Sequence, residues 1–311
     1  MLRFLVMRVA GAIPLLFLLS VVTFGIIQAP PGDYSDYIKS MLINQGGVPP
    51  DQAEIQADAY RVANGLDKPL VEQYFNWISG IVTRFDFGHS YFYNKDVGIV
   101  VTERLPATIM LALVCHLLAS ALGIGLGIVA ATRQYSWADT LLGIISFLGM
   151  TVPRFLVAII ILYVLVFQLN VSEVGMFFSA KYGGQPWSWD KFVNLVQHIW
   201  PVIFIATFGG LAYNMRVMRG NLLDVLNAQY IETARAKGVP ESGVIMRHAV
   251  PNALHPILAY QGVALPYMLT GEIEVAVVFG LATVGPAIVG SMGVGDVYVT
   301  ATFMLVLATT L

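Results

Sequence analysis

Five histidines, His89, His116, His198, His248 and His255, are the side chains with which this 311-residue chain could hold a metal or relay protons. None stands at the H-E-x-x-H spacing that sets two ligands and a general base on one helical face, so an intramembrane zinc peptidase is not expected. His116 alone lies deep in an apolar run, where a hydrogen bond between packed helices is a simpler role than metal binding. The sequence has no G-x-x-x-x-G-K-[ST] loop and no Gly-Lys pair, so ATP hydrolysis and resident cofactors are not expected of this chain. The single cysteine, Cys115, cannot form an intrachain disulfide, and its apolar surroundings give it a packing role. Arg154, Glu272 and Glu274 remain. Ionisable groups within apolar segments are costly unless they face water or each other, which makes these three candidates for a solute pathway. The alternative is that they lie nearer an interface, where snorkelling lowers the cost.

The elements that must position these residues are transmembrane helices. The composition is 57% hydrophobic and 12% charged, and a net charge of -2 leaves no global basic field to attract nucleic acid. Apolar segments at Val9–Ile27, Pro106–Thr132, Leu141–Leu169, Ile199–Tyr213 and Ile257–Phe279, with a last one opening near Tyr298, predict about six crossings of a ~30 Å hydrocarbon core. The fold class is therefore an all-α integral membrane protein. Arg3 and Arg8 place the N-terminus in the cytoplasm, and no small-x-small cleavage site follows the first helix, which is read as uncleaved. This divides the chain into an N-terminal membrane helix (1–28), an extracytoplasmic segment (29–105) and a core (106–311) with a cytoplasmic loop at 215–256. That loop is rich in Arg and Lys, whereas the outer segment has more acids than bases. Gly123, Gly125 and Gly127 offer small faces for close helix approach. No inverted repeat is apparent, so the chain needs a partner to enclose a pathway.

The cytoplasmic loop carries the most specific pattern. Ala-rich sequence from Ala228 to Ala236 favours a helix, Gly238 suits the position just past its end, and Pro240 with Glu241 suits a new first turn. Two short helices with a break are predicted. The loop resembles the coupling signature of ABC importer membrane subunits, with Glu232, Ala234, Gly238 and Pro251 in register. Thr233, His248 and Val250 depart from that signature, as they do in the dipeptide and oligopeptide permease branch. Arg235-Ala236-Lys237-Gly238 and Arg247-His248-Ala249 with Asn252-Ala253-Leu254 are similar to that branch, as are Gly65-Leu66-Asp67-Lys68-Pro69-Leu70, Asp86-Phe87-Gly88 and Glu103-Arg104-Leu105-Pro106.

This resemblance implies the type I ABC importer (MetI-like) permease fold in a bacterial-type cytoplasmic (inner) membrane. It also implies a second related permease subunit, two cytoplasmic ATPase subunits that bind ATP and Mg, and an extracytoplasmic solute-binding protein delivering di- or oligopeptides. Tyr230, Glu232, Ala234, Arg235, Lys237, Gly238, Arg247, His248 and Asn252 would then form the surface that couples to the ATPase, with Glu232 and Ala234 helping to hold the bent lever. The competing reading is that Arg and Lys here only enforce topology, and the two readings are compatible. The branch often carries Glu where Ala276 stands and Pro-Gly where Ala282-Thr283 stand, and Glu272 and Glu274 are additional acids, so oligosaccharides or other small solutes stay open as cargo. A self-sufficient secondary transporter and a membrane-embedded enzyme are the rival classes, and neither explains the bent basic loop. Tyr298–Leu311 supplies only 14 residues where a perpendicular span needs about 20, which predicts a native chain continuing past Leu311. The orientation is testable: cysteines introduced at Asp51 and Lys95 should react with an impermeant thiol reagent in intact spheroplasts, and protection of both would reverse the topology.

Overall fold

Apolar sequence with little strand alternation must satisfy its backbone hydrogen bonds within helices. The computed structural model describes residues 2–309, with the side chains of all but Leu2, Leu5, Val9 and 265–271. Its elements are α1 (Leu2–Ile27), α2 (Tyr34–Asn44), α3 (Pro50–Ala63), α4 (Leu70–Arg84), the hairpin β1 (His89–Ser90) and β2 (Lys95–Asp96), α5 (Val97–Thr132), α6 (Trp137–Thr151), α7 (Arg154–Tyr163), α8 (Trp189–Leu226), α9 (Gln229–Ala236), α10 (Glu241–Gly243), α11 (Val250–Phe279), α12 (Val284–Gly293) and α13 (Val297–Ala308). π-helical turns at Val164–Gln168 and Val244–Ala249 extend α7 and join α10 to α11. Among the described residues three helices are long and apolar enough to cross a membrane, and two helix pairs broken by short loops raise the number to five. α13 is a shorter apolar helix.

Two expected boundaries change. The third apolar segment is not one straight helix: α6 and α7 meet at 99°. Pro153 has no N–H to continue the ladder and holds Val152 in extended backbone (φ -79°, ψ 125°). The fourth segment is longer than its apolar run, because α8 continues through the polar residues Arg216, Arg219 and Asp224 to Leu226. Residues 215–226 are therefore helix, as are 250–256 of α11, and the segment between the two long helices is 227–249.

The chain divides into two compact units, residues 1–106 with 283–311, and residues 107–282. In the first, part of residues 29–105 packs with α1 and α13. Phe24 of α1 stacks on Trp77 of α4 at 5.6 Å, within a buried cluster that includes Tyr74, Val297 and Ala301. Asp296, buried at the start of α13, accepts hydrogen bonds from the Ser90 hydroxyl (2.7 Å) and the Phe92 amide (3.0 Å), tying the hairpin to that helix. Arg61 of α3 gathers Asp33, Asp36 and Asp58 at 3.0–3.3 Å.

The second unit is organised on α8. A Cβ on Gly123 would lie 2.6 Å from the Leu211 carbonyl oxygen and one on Gly127 2.7 Å from that of Met215, so α5 and α8 touch backbone to backbone. Gly125 has nothing within 4 Å of such a Cβ and takes no part. Polar contacts fix the rotation of the neighbouring helix: the Ser146 hydroxyl of α6 donates to the Ala212 carbonyl at 2.9 Å, and Arg219 grips Asp139 through two hydrogen bonds of 2.6 and 2.8 Å. Cys115 is fully buried in an apolar cluster with Leu111, Ala119, Ile199 and Val202. Gly123→Ala and Gly127→Ala should each cost about 1–3 kcal/mol by overpacking. Thermal unfolding of the purified protein should show a lower midpoint for both and an unchanged one for Gly125→Ala.

Candidate functional site

α9 is eight residues long, too short to hold itself by backbone hydrogen bonds. Ile231 anchors it, fully buried in a cluster with Met218 and Leu222 of α8, Val244 and Ala249 of the π turn, and Ala253 and Ile257 of α11. Ala234 packs against the same cluster, while Tyr230, Glu232, Arg235 and Lys237 are on the exposed side. The helix ends where the sequence places its break. Gly238 takes φ +80°, its amide donates to the Arg235 carbonyl (2.9 Å), and the Val239 amide donates to that of Ala234 (3.3 Å). This is the paired 5→2 and 6→1 closure that satisfies the last carbonyls of a helix and needs a residue at ease with positive φ. Pro240 then opens α10.

Across the bend Arg235 grips Glu241 with hydrogen bonds of 3.0 and 2.7 Å. The guanidinium holds the Glu241 carboxyl below the ordinary carboxylate range. A lowered folded-state pKa means that the clasp contributes at neutral pH and is lost only as pH falls through that lowered value. Arg247 is exposed and His248 half-buried in the π turn, and Asn252 donates to the His248 carbonyl at 2.7 Å. Asn221 of α8 donates to the Ala253 carbonyl of α11 at 3.2 Å. Glu232 is exposed and acts through its charge on Arg235, while Ile231 and the Arg235–Glu241 clasp make the direct contacts that hold α9. The signal for Ile231 was a lone large apolar residue in a polar helix, and for the clasp, opposite charges flanking Gly238-Val239-Pro240.

A second feature lies in the same unit, a cavity of about 530 Å³ whose lining includes Arg154, Glu274, His116, Asn214 and Gln261. It joins two of the three pathway candidates. Arg154, at the first turn of α7, is half-buried with its guanidinium against Gly209 of α8, where a Cβ would come within 2.9 Å of Nε. Glu274 of α11 is exposed to the cavity. Glu272, only 1% exposed, does not line it. His116, expected to bridge packed helices, borders the cavity instead, with no hydrogen bond among the described residues. One wall is fixed by a polar chain in which Ser120 donates to Gln261 (3.0 Å) and Gln261 to Asn214 (3.3 Å), linking α5, α11 and α8.

Comparison with known proteins agrees with this architecture. Residues 123–311 match the family described as binding-protein-dependent transport system inner membrane component, and residues 1–112 match the N-terminal family of the same membrane components. The chain is 34% identical to a putative peptide transport system permease protein of Brucella abortus over 96% of this chain and 90% of that protein. It is 31% identical to the dipeptide transport system permease protein DppB of Lactococcus lactis over 100% of this chain and 91% of that protein. The oligopeptide transport system permease protein AppB of Bacillus subtilis is 30% identical over 94% and 87%. A multi-pass helical chain with this bend at Gly238, matched from end to end, belongs to the inner membrane components of binding-protein-dependent transport systems, the permease subunits of ABC importers.

Proposed function

We propose that this permease forms half of a translocation pathway for di- and oligopeptides in a bacterial cytoplasmic membrane, with its N-terminus in the cytoplasm. A second, related permease supplies the other half, an extracytoplasmic solute-binding protein delivers the cargo, and two cytoplasmic ATPase subunits bind ATP and Mg and drive the cycle. The observation that carries the cargo class is the end-to-end similarity to permeases named for peptide, dipeptide and oligopeptide transport. Coupling rests on the segment 227–249. The exposed side chains Tyr230, Glu232 and Lys237 meet an ATPase groove, while the buried Ile231 passes displacement to α8 and α11. Rigid-body motion of a docked element of this kind switches helices between inward and outward access.

The complete transporter in proteoliposomes should take up labelled trialanine in an ATP-dependent manner; uptake of maltotriose without trialanine would overturn the cargo assignment. Gly238→Pro forces φ near -65° and removes the capping N–H, and Glu232→Lys reverses a charge on the outward face. Either should lower uptake and ATPase co-purification. Ile231→Ala should cost about 2–5 kcal/mol as a cavity-forming core truncation and loosen the segment's hold. Full co-purification with full transport in Gly238→Pro and Glu232→Lys would remove the coupling assignment.

A further inference from the structure

Arg154 and Glu274 border the same cavity and do not pair with each other; neither has an ion-pair partner among the described residues. An unpaired charge at membrane depth is expensive, and two of opposite sign on one cavity are satisfied together by a ligand that carries both charges. The cationic end is reinforced by backbone. The break at Pro153 starts the ten-residue α7 at the cavity wall, with no side-chain cap on its first turn, so the positive end of its dipole belongs to the same wall as Arg154. Broken membrane helices present N-termini of this kind to substrate carboxylates. Gly209 admits the guanidinium against α8, and the Ser120–Gln261–Asn214 chain holds another wall at fixed shape. A volume of about 530 Å³ falls in the ~300–1,000 Å³ range of small-molecule sites.

We infer that this cavity is a binding site for zwitterions that reads both ends of a short peptide, with Arg154 and the α7 N-terminus taking the α-carboxylate and Glu274 the α-ammonium. Arg suits the carboxylate because its planar fork donates two parallel hydrogen bonds to one. The inference rests on the peptide reading above and adds to it a selection step inside the membrane, separate from that of the binding protein. A neutral oligosaccharide would leave both charges unpaired.

The test is equilibrium binding of labelled trialanine, trialanine amide and N-acetyl-trialanine to the complete permease–ATPase assembly in nanodiscs. The solute-binding protein is left out so that only the membrane site selects. Wild type should hold trialanine about tenfold more tightly than either blocked peptide, the scale of one charge-assisted contact. Arg154→Gln should weaken trialanine about tenfold without changing the amide, and Glu274→Gln should weaken trialanine without changing the N-acetyl peptide. Gly209→Ala, which keeps the guanidinium but displaces it, should act like Arg154→Gln; recovery of intact assembly by size exclusion establishes that each variant folds. Equal weakening of all three peptides, no weakening of any, or absence of trialanine binding in an assembly whose complete transporter imports it would overturn the inference and leave peptide import standing. Failure of the complete transporter to import any peptide would overturn both.

Discussion

Helices in lipid gain little by hiding apolar side chains from one another, because the surrounding acyl chains are as apolar as the helix surfaces. Residues 107–282 meet this constraint by bringing backbones into direct contact along α8. Gly123 and Gly127 of α5 abut its carbonyls, and Gly149 of α6 lies where a Cβ would strike that of Ala212 at 2.7 Å. Such contacts fix distance but leave rotation loose. Rotation is set by a few directional polar links, Ser146 to the Ala212 carbonyl, Asp139 to Arg219, and Gln261 between Ser120 and Asn214. The cavity and the coupling segment are both built from what this arrangement leaves free.

The two features differ in how they are held. The cavity wall combines a proline break, an arginine seated on a glycine and a three-residue polar chain, all attached to helices already locked together. The segment 227–249 is held by the buried side chains of Ile231, Val244 and Ala249 and by one exposed ion pair. Exposed pairs contribute little, so most of the hold on α9 comes from burial of Ile231. The segment is therefore packed against α8 and α11 yet keeps Tyr230, Glu232 and Lys237 exposed.

Sequence reading captured what local chemistry dictates. Gly238 admits a positive φ that other residues resist and Pro240 fixes φ at about -65°, so the break lies between the helices they delimit. The spacing of Gly123 and Gly127 announced a close approach, but nothing local named α8 as the partner or distinguished Gly125, which faces away. Hydropathy placed the membrane segments without locating helix ends. It read through Pro153, because a break between two apolar stretches does not lower a window average, and it stopped α8 at its last apolar residues although the backbone ladder continues through Arg216 and Arg219. Asp139 and Arg219, eighty residues apart, could be paired only by the fold. The cost of charge in lipid singles out Arg154 and Glu274 in the sequence; their common cavity is lined by residues of the α6–α7 bend, which no local pattern supplies.

α8 has 38 residues, about 57 Å at 1.5 Å per residue, nearly twice the ~30 Å hydrocarbon core. A helix this long cannot lie within the lipid unless strongly tilted, so part of it stands in water, and the coupling segment hangs from its end. The height of that segment above the lipid surface is then a function of bilayer thickness. A bilayer thicker by about 3 Å submerges two more residues of α8 or changes its tilt, and either shifts the level at which Tyr230 and Glu232 are presented. Acyl-chain length thereby sets where the segment 227–249 stands relative to the lipid, as a dimension fixed by the host membrane and not by this polypeptide.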